Sequence, residues 1–408
     1  MSNAILSSNA NSSLINTLMG SESVRNTSVY STEEITPPHA STYQKCDTNS
    51  SGTAQGGRTQ NFPIMKYGYL QQVLLCWSKD FTVAVAAGTT VECSPANDVI
   101  RCIDTVDLMS SGRVVSQMTG DDLFAAYSDL SESESIPIRA TALSARSVSV
   151  ATGGDALTAA TIKYCVPIVF PQFEEVNTQL NCQFLEGLTI RVKWGSITNH
   201  SATPTAASIQ DNSMYLRLRY KAYAEEQVSE VLASNFDSPE LAQLSARWYS
   251  EPPQSFTASA TTAKVTVQLK NTDCVQDFFT MCYLNDPTTS YSCAKIENLQ
   301  FVASGQTLVE MSQEELLYAR LGEHGWSHSQ SIADSGSGAN VAKVQNGLYA
   351  WGKLSNTLSL RELNNPQMVV EISGLVSGSQ YTVRVCEKCT AIFSTTSATG
   401  KYNIALSN

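Results

Sequence analysis

Charge is scarce in this sequence. Only 15% of its 408 residues are Asp, Glu, Lys or Arg, and the balance is a net −11. Affinity for nucleic acid comes mainly from neutralised phosphates, so the chain as a whole has no electrostatic reason to coat one. A local basic patch stays open. Histidine is scarcer still: His39, His200, His324 and His328 are scattered along the chain. A metal enzyme of the cupin kind needs histidines gathered on adjacent strands, and this spacing argues against it. No apolar run reaches the roughly 18 residues that mark a membrane helix. The start, MSNAILSSNANSS, has neither a basic segment nor a long apolar one after it, so no signal peptide is expected. The glycine patterns of nucleotide-binding and hydrolase loops are missing as well. GGD at 153–155 and SGSG at 335–338 read as ordinary loops. No catalytic residue and no cofactor is expected.

What is present is β-structure. The length suggests two or three domains at a prior of about 150 residues each. Residues 1–60 are rich in Ser, Asn and Thr and low in large apolar residues, so they read as an arm, disordered alone or ordered against a partner. From there apolar residues recur with a period of two: Phe81, Val83 and Val85, then Leu188, Ile190, Val192 and Trp194, then Leu216, Leu218 and Tyr220. That period is the signature of strands with one buried face. Segment 61–224 is a first strand-rich domain. Residues 225–253 read as a helical linker: EEQVSEVLAS suggests one short helix, and Ser238 capping Pro239 suggests another, stopped by Pro252-Pro253. Strands resume over 254–408, with Val265, Val267 and Leu269 in alternation. Eleven cysteines, several within apolar strand runs, read as buried reduced thiols of a protein made in a reducing compartment.

One phrase is written twice. Residues 103–127, IDTVDLMSSGRVVSQMTGDDLFAAY, align without a gap on residues 296–320, IENLQFVASGQTLVEMSQEELLYAR. Ser111-Gly112 falls on Ser304-Gly305, and Asp121-Asp122 falls on Glu314-Glu315. Each copy reads as a strand, a tight turn using the glycine's positive φ, a second strand, and a helix opened by an S/T-x-x-acid capping signature. Five features recurring in register point to a duplicated domain rather than to two unrelated hairpins. The fold expected is all-β: two tandem sandwiches with short helices.

Further phrases carry a resemblance. Residues 177–194 (NTQLNCQFLEGLTIRVKW), with Gly187 where proline is common, residues 220–226 (YKAYAEE) and residues 359–372 (SLRELNNPQMVVEI) resemble, in this order, stretches of the double jelly-roll major capsid proteins of double-stranded DNA viruses. The Polinton-like virus and virophage-related group is the most similar. The resemblance covers about 65–400. It implies two eight-stranded jelly rolls behind an extended N-terminal arm, and a homotrimer forming a pseudo-hexagonal capsomer of an icosahedral virion, assembled in the host cell. It also implies neighbouring capsomers, minor capsid and penton proteins, and an internal membrane as partners, without strong nucleic-acid binding. A tandem jelly-roll carbohydrate-binding or fibre protein is the alternative. It would call for secretion and for loop-end clusters of aromatic and Asp/Asn residues.

Two constellations remain. Cys386 and Cys389 form a CxxC, and His324 and His328 stand four residues apart within GEHGWSHS. A Cys2His2 zinc site is conceivable from these types, but the order is histidine-first and the gap long, so structural thiols and loop histidines are the preferred reading. Arg217, Arg219 and Lys221 share the polar face of one strand. Pairing with acidic neighbours, within or between subunits, is the preferred role there, ahead of contact with a genome or a lipid layer.

Overall fold

The computed structural model describes residues 39–49, 57–83, 90–93, 102–129, 146–149, 158–174, 180–182, 185–195, 204–209, 214–223, 240–285, 294–316, 348–351, 358–396 and 401–406. In chain order the first half runs β1 (His39–Asp47), β2 (Thr59–Pro63), β3 (Tyr69–Val83), β4 (Thr90–Cys93), β5 (Ile103–Ser110), β6 (Arg113–Thr119), helix α1 (Gly120–Asp129), β7 (Arg146–Ser149), β8 (Thr158–Pro167), the short helix α2 (Pro171–Glu174), β9 (Leu180–Asn181), β10 (Leu188–Trp194), β11 (Pro204–Ile209) and β12 (Tyr215–Tyr223). The second half runs β13 (Glu240–Ser250), β14 (Gln254–Thr257), β15 (Thr262–Gln268), β16 (Cys274–Leu284), β17 (Lys295–Ala303), β18 (Gln306–Ser312), β19 (Leu348–Trp351), β20 (Leu358–Ser359), β21 (Gln367–Ser373), β22 (Gln380–Thr396) and β23 (Lys401–Leu406).

The pairing gives the same sandwich twice. In the first half, β1-β12-β3-β8 form one sheet and β2-β10-β5-β6 the other; in the second, β13-β22-β16-β19 face β15-β21-β17-β18. All these pairs are antiparallel. Strands from distant parts of each half lie side by side in both sheets, which is the double-sheet jelly roll. The alternation seen in the sequence becomes the inner faces. Val73, Leu75, Trp77, Leu216 and Leu218 of one sheet meet Phe62, Val106, Leu108, Ile190 and Trp194 of the other, all buried. Each such side chain contributes roughly 1.5–3 kcal/mol on leaving water. Trp77 stacks on Tyr164 and meets Trp194 edge-on at 5.7 Å.

The repeated phrase is repeated in its backbone. Ser111 and Gly112 have φ of 49° and 81°, and Ser304 and Gly305 have 53° and 75°. Two left-handed residues in succession make the mirror-image turn whose twist suits a two-residue hairpin. One strand bulge follows each turn: Val115 has no partner between the pairs Leu108–Ser116 and Met109–Val114, and Leu308 has none between Phe301–Val309 and Val302–Thr307. A second bulge skips Asp104 in one copy and Glu297 in the other. Both lie at aligned positions, so the two hairpins share shape as well as turn. A glycine is required at the turns for conformation alone, since a Cβ on Gly112 or Gly305 would meet nothing within 4 Å. Gly305→Ala is therefore expected to cost about 1–2 kcal/mol. Ser304→Asn, which suits the left-handed region better, is expected to raise the denaturant midpoint. Equilibrium unfolding of the two variants checks both signs.

Gly187 is a departure with a reason. Its φ is +56°, which proline cannot adopt, and a Cβ there would approach the Ser111 amide nitrogen at 3.3 Å. The Ser111 N–H donates to the Gly187 carbonyl at 3.2 Å. In the second half the Ser304 N–H donates to the Asn364 carbonyl at 2.7 Å, beside left-handed Asn365. Each hairpin tip is thus tied to the segment that enters β10 or β21.

Two expectations fail. The helix expected from Ser238 is strand β13, paired along its whole length with β22. That ladder, together with burial of Ala246 and Trp248, outweighs the local helical preference of ELAQLSARWY. The companion helix over 225–234 lies outside the described residues. Part of the segment expected as an arm belongs to the first roll: residues 39–47 are β1, laid along β12, and β2 begins at Thr59. Residues 1–38 lie outside the described residues.

Candidate interaction surface

The two rolls are joined through the helix of the repeated phrase. Thr119 and Asp122 close a capping box: the Thr119 N–H donates to Asp122 Oδ2 at 2.8 Å, and the Asp122 N–H donates to Thr119 Oγ1 at 3.2 Å. The box opens α1 toward the outer face of the second roll's first sheet. There Ser250 Oγ of β13 donates to Asp122 Oδ1 at 2.6 Å, and Arg384 Nε of β22 donates to Asp121 Oδ2 at 2.7 Å. Arg384 also reaches the Glu251 carbonyl, at 3.2 Å. Both aspartates are buried. Burial pushes the Asp122 carboxyl up, against the hydrogen bonds from Ser250 and Thr119. Burial works to lower the Arg384 pKa, yet Asp121 carries it above its ordinary value.

Apolar packing surrounds this polar centre. Trp248, Phe279, Met281, Cys386 and Phe393 of the second half belong to the same continuous core as the first roll. Gln172 of α2 adds a bond from Nε2 to the Ala246 carbonyl at 3.3 Å. The sequence shows the capping signature but gives no sign that its acids meet Arg384. That residue reads only as one polar position in the alternating run YTVRV.

The second copy of the phrase ends differently. Ser312 and Glu315 repeat the box, with the Ser312 N–H on Glu315 Oε2 at 2.7 Å. The chain is helical at 313–316, and Glu314 and Glu315 are exposed. Among the described residues Glu314 has no hydrogen bond and no ion pair.

The basic strand face is where the alternation placed it. Arg217, Arg219 and Lys221 lie on the face of β12 opposite to buried Leu216, Leu218 and Tyr220. Arg217 is exposed. The Arg219 guanidinium stands 5.7 Å from the Tyr43 ring centre, and its Nε is buried without a partner. Lys221 is 9% exposed. On neighbouring β1, Tyr43 is 58% exposed, and Lys45 pairs with Asp47 at 2.6 Å while lying over the Tyr215 ring. Among the described residues neither Arg217 nor Arg219 meets a carboxylate.

The CxxC does not converge. A strand turns successive side chains to opposite faces, so residues three apart diverge. Cys386 packs into the core shared with the first roll, and Cys389 packs into the second roll's own core. Burial raises both thiols well above their ordinary pKa. His324 and His328 lie outside the described residues. The nine cysteines with described side chains are free thiols, and Cys76 and Cys165 face each other across β3 and β8 at 3.4 Å.

The second roll also buries an acidic cluster that the sequence did not announce. Asn271 Nδ2 donates to Glu387 Oε2 at 2.6 Å and contacts Cys389 Sγ. Glu251 Oε1 accepts the backbone N–H groups of Lys270 and Asn271. Arg247 binds Asp273 beside them. Burial, reinforced by Glu251, Asp273 and Asp122, pushes Glu387 up to about 8, against the Asn271 hydrogen bond.

No protein-family model matches this chain, and no curated protein does. Solved structures do. The PBCV-1 Vp54 structure fitted into a reconstruction of the virophage Sputnik superposes with a TM-score of 0.64 at 12% identity, over 93% of this chain and 100% of that one. The mavirus major capsid protein gives 0.57 at 11% identity, over 93% of each chain. The Faustovirus major capsid protein gives 0.56 at 9% identity, over 96% of this chain and 98% of that one. The chain therefore has the double jelly-roll fold of these proteins.

Proposed function

We propose that this chain is the major capsid protein of a double-stranded DNA virus, and that three copies form a pseudo-hexagonal capsomer tiling an icosahedral shell. One observation carries the reading: two sandwiches whose four main strands per sheet share one order, fused through a buried interface, in a chain whose fold spans whole capsid-protein structures. The function is geometric. Two like units in one chain, repeated three times around an axis, give six near-equivalent edges. A head-to-tail contact that closes after three copies generates such a ring. The role is structural rather than catalytic, and its place is the virion. Neighbouring capsomers, minor capsid proteins and penton proteins are its partners, with an internal membrane as a further contact. The acidic balance suits a container that is filled without gripping its DNA.

The test is mass and shape in solution. Size-exclusion chromatography with light scattering is expected to give about three times 44.1 kDa. Negative-stain micrographs are expected to show six-sided outlines. A monomer at every concentration overturns the capsomer.

A further inference from the structure

The join within the chain has a counterpart in the first roll. In the second roll, β22 lies between β13 and β16; in the first, β12 lies between β1 and β3. The two strands hold the same place in the same sheet. The outer face of β22 is covered by α1, with Asp121 on Arg384. The outer face of β12 carries Arg217 and Arg219, neither meeting a carboxylate among the described residues, beside exposed Tyr43 and half-buried Leu74. Glu314 occupies the position of Asp121 in the repeated phrase and is exposed, with no ion pair among the described residues. Among the described residues, an acid without a base and a base without an acid thus stand at the two positions that are joined inside the chain.

We propose that Glu314 of one copy docks on Arg217 and Arg219 of a second copy, repeating between chains the Asp121–Arg384 contact made within one. This rests on the capsomer reading and adds its residue-level register. The occupant is another copy of this chain because the duplication supplies both halves of the contact. The charges agree: exposed Glu314 on one side, Arg217 and Arg219 on the other. Each chain presents one acidic turn and one basic face, so the contact is head-to-tail and leaves no free pair once a ring closes.

Charge reversal tests it. Arg217→Glu with Arg219→Glu is expected to raise the concentration at which trimers dissociate by at least about tenfold, as is Glu314→Arg alone, because close charge pairs at an interface couple strongly. Combining all three substitutions in one chain is expected to restore association. Mixing the two defective proteins cannot complete a ring, since three members leave at least one mismatched contact. Glu314 is exposed, so thermal unfolding of the isolated Glu314→Arg chain is expected to stay unchanged, and Arg217→Lys with Arg219→Lys is expected to retain the trimer. A wild-type trimer whose dissociation is unmoved by either reversal overturns this contact while leaving the capsomer in place. A wild-type monomer overturns both.

Discussion

Arg384→Ala is expected to destabilise the chain by about 3–5 kcal/mol, the cost of leaving a buried carboxylate without its cation. The side chain is the only guanidinium that Asp121 meets among the described residues, through Nε at 2.7 Å. Asp121 is 5% exposed, its Oδ1 already lacks a partner, and buried Asp122 stands next to it. Without Arg384, two adjacent carboxyl groups share one apolar seam with only Ser250 and the capping turn to satisfy them. The loss falls on the contact between the rolls, so the denaturation midpoint is expected to drop and the second roll to become open to protease. Arg384→Met combined with Asp121→Leu removes both charges and keeps the volume. Most of the lost stability is expected to return in that double variant, because replacing a buried pair with apolar groups is often neutral. A single variant that loses under about 1 kcal/mol, the range of a surface pair, would show that the seam does not depend on this pair.

The repeat was legible in the sequence because its parts obey local rules. A two-residue hairpin turn needs left-handed residues, and a helix start needs a side-chain acceptor, so Ser-Gly and S/T-x-x-acid mark themselves. Strands with one wet face announced their period in the same way. Strand β13 did not. Ala246 and Trp248 face the first roll while Tyr249 packs on the second roll's core, so the strand is covered on both sides and loses its alternation. What is left in the sequence is a run of good helix formers behind Ser238-Pro239. Strand β1 was hidden for the opposite reason. Its half-buried positions are Thr42, Gln44 and Cys46, and its exposed ones include Ser41 and Lys45, so it presents no apolar face at all. The Asp121–Arg384 pair joins residues far apart in the chain and has no local pattern to betray it.

Glu387→Gln is expected to flatten the pH dependence of stability. Glu387 has an ordinary value of 4.5 and is pushed up to about 8 by burial and by Glu251, Asp273 and Asp122. The folded chain therefore holds a proton that the unfolded chain releases above 4.5. Folding binds that proton, so the stabilisation is full below pH 4.5, declines as pH rises, and is gone above about 8. Within this window each pH unit removes up to about 1.4 kcal/mol. Buried Glu251, raised in the same direction by desolvation, adds to the slope. The amide of the variant would stay neutral throughout, and its oxygen could still accept the Asn271 amide that now meets Oε2. Denaturant midpoints measured across neutral pH, from mildly acidic to mildly basic buffer, are expected to fall steeply for the wild type and less for the variant. At the basic end the variant is expected to be the more stable of the two. Parallel curves would mean that Glu387 does not titrate in this range. The effect reaches beyond the second roll's core, because Glu387 sits on β22 close to Arg384. Charging its inner face loosens the strand whose outer face holds the two rolls together.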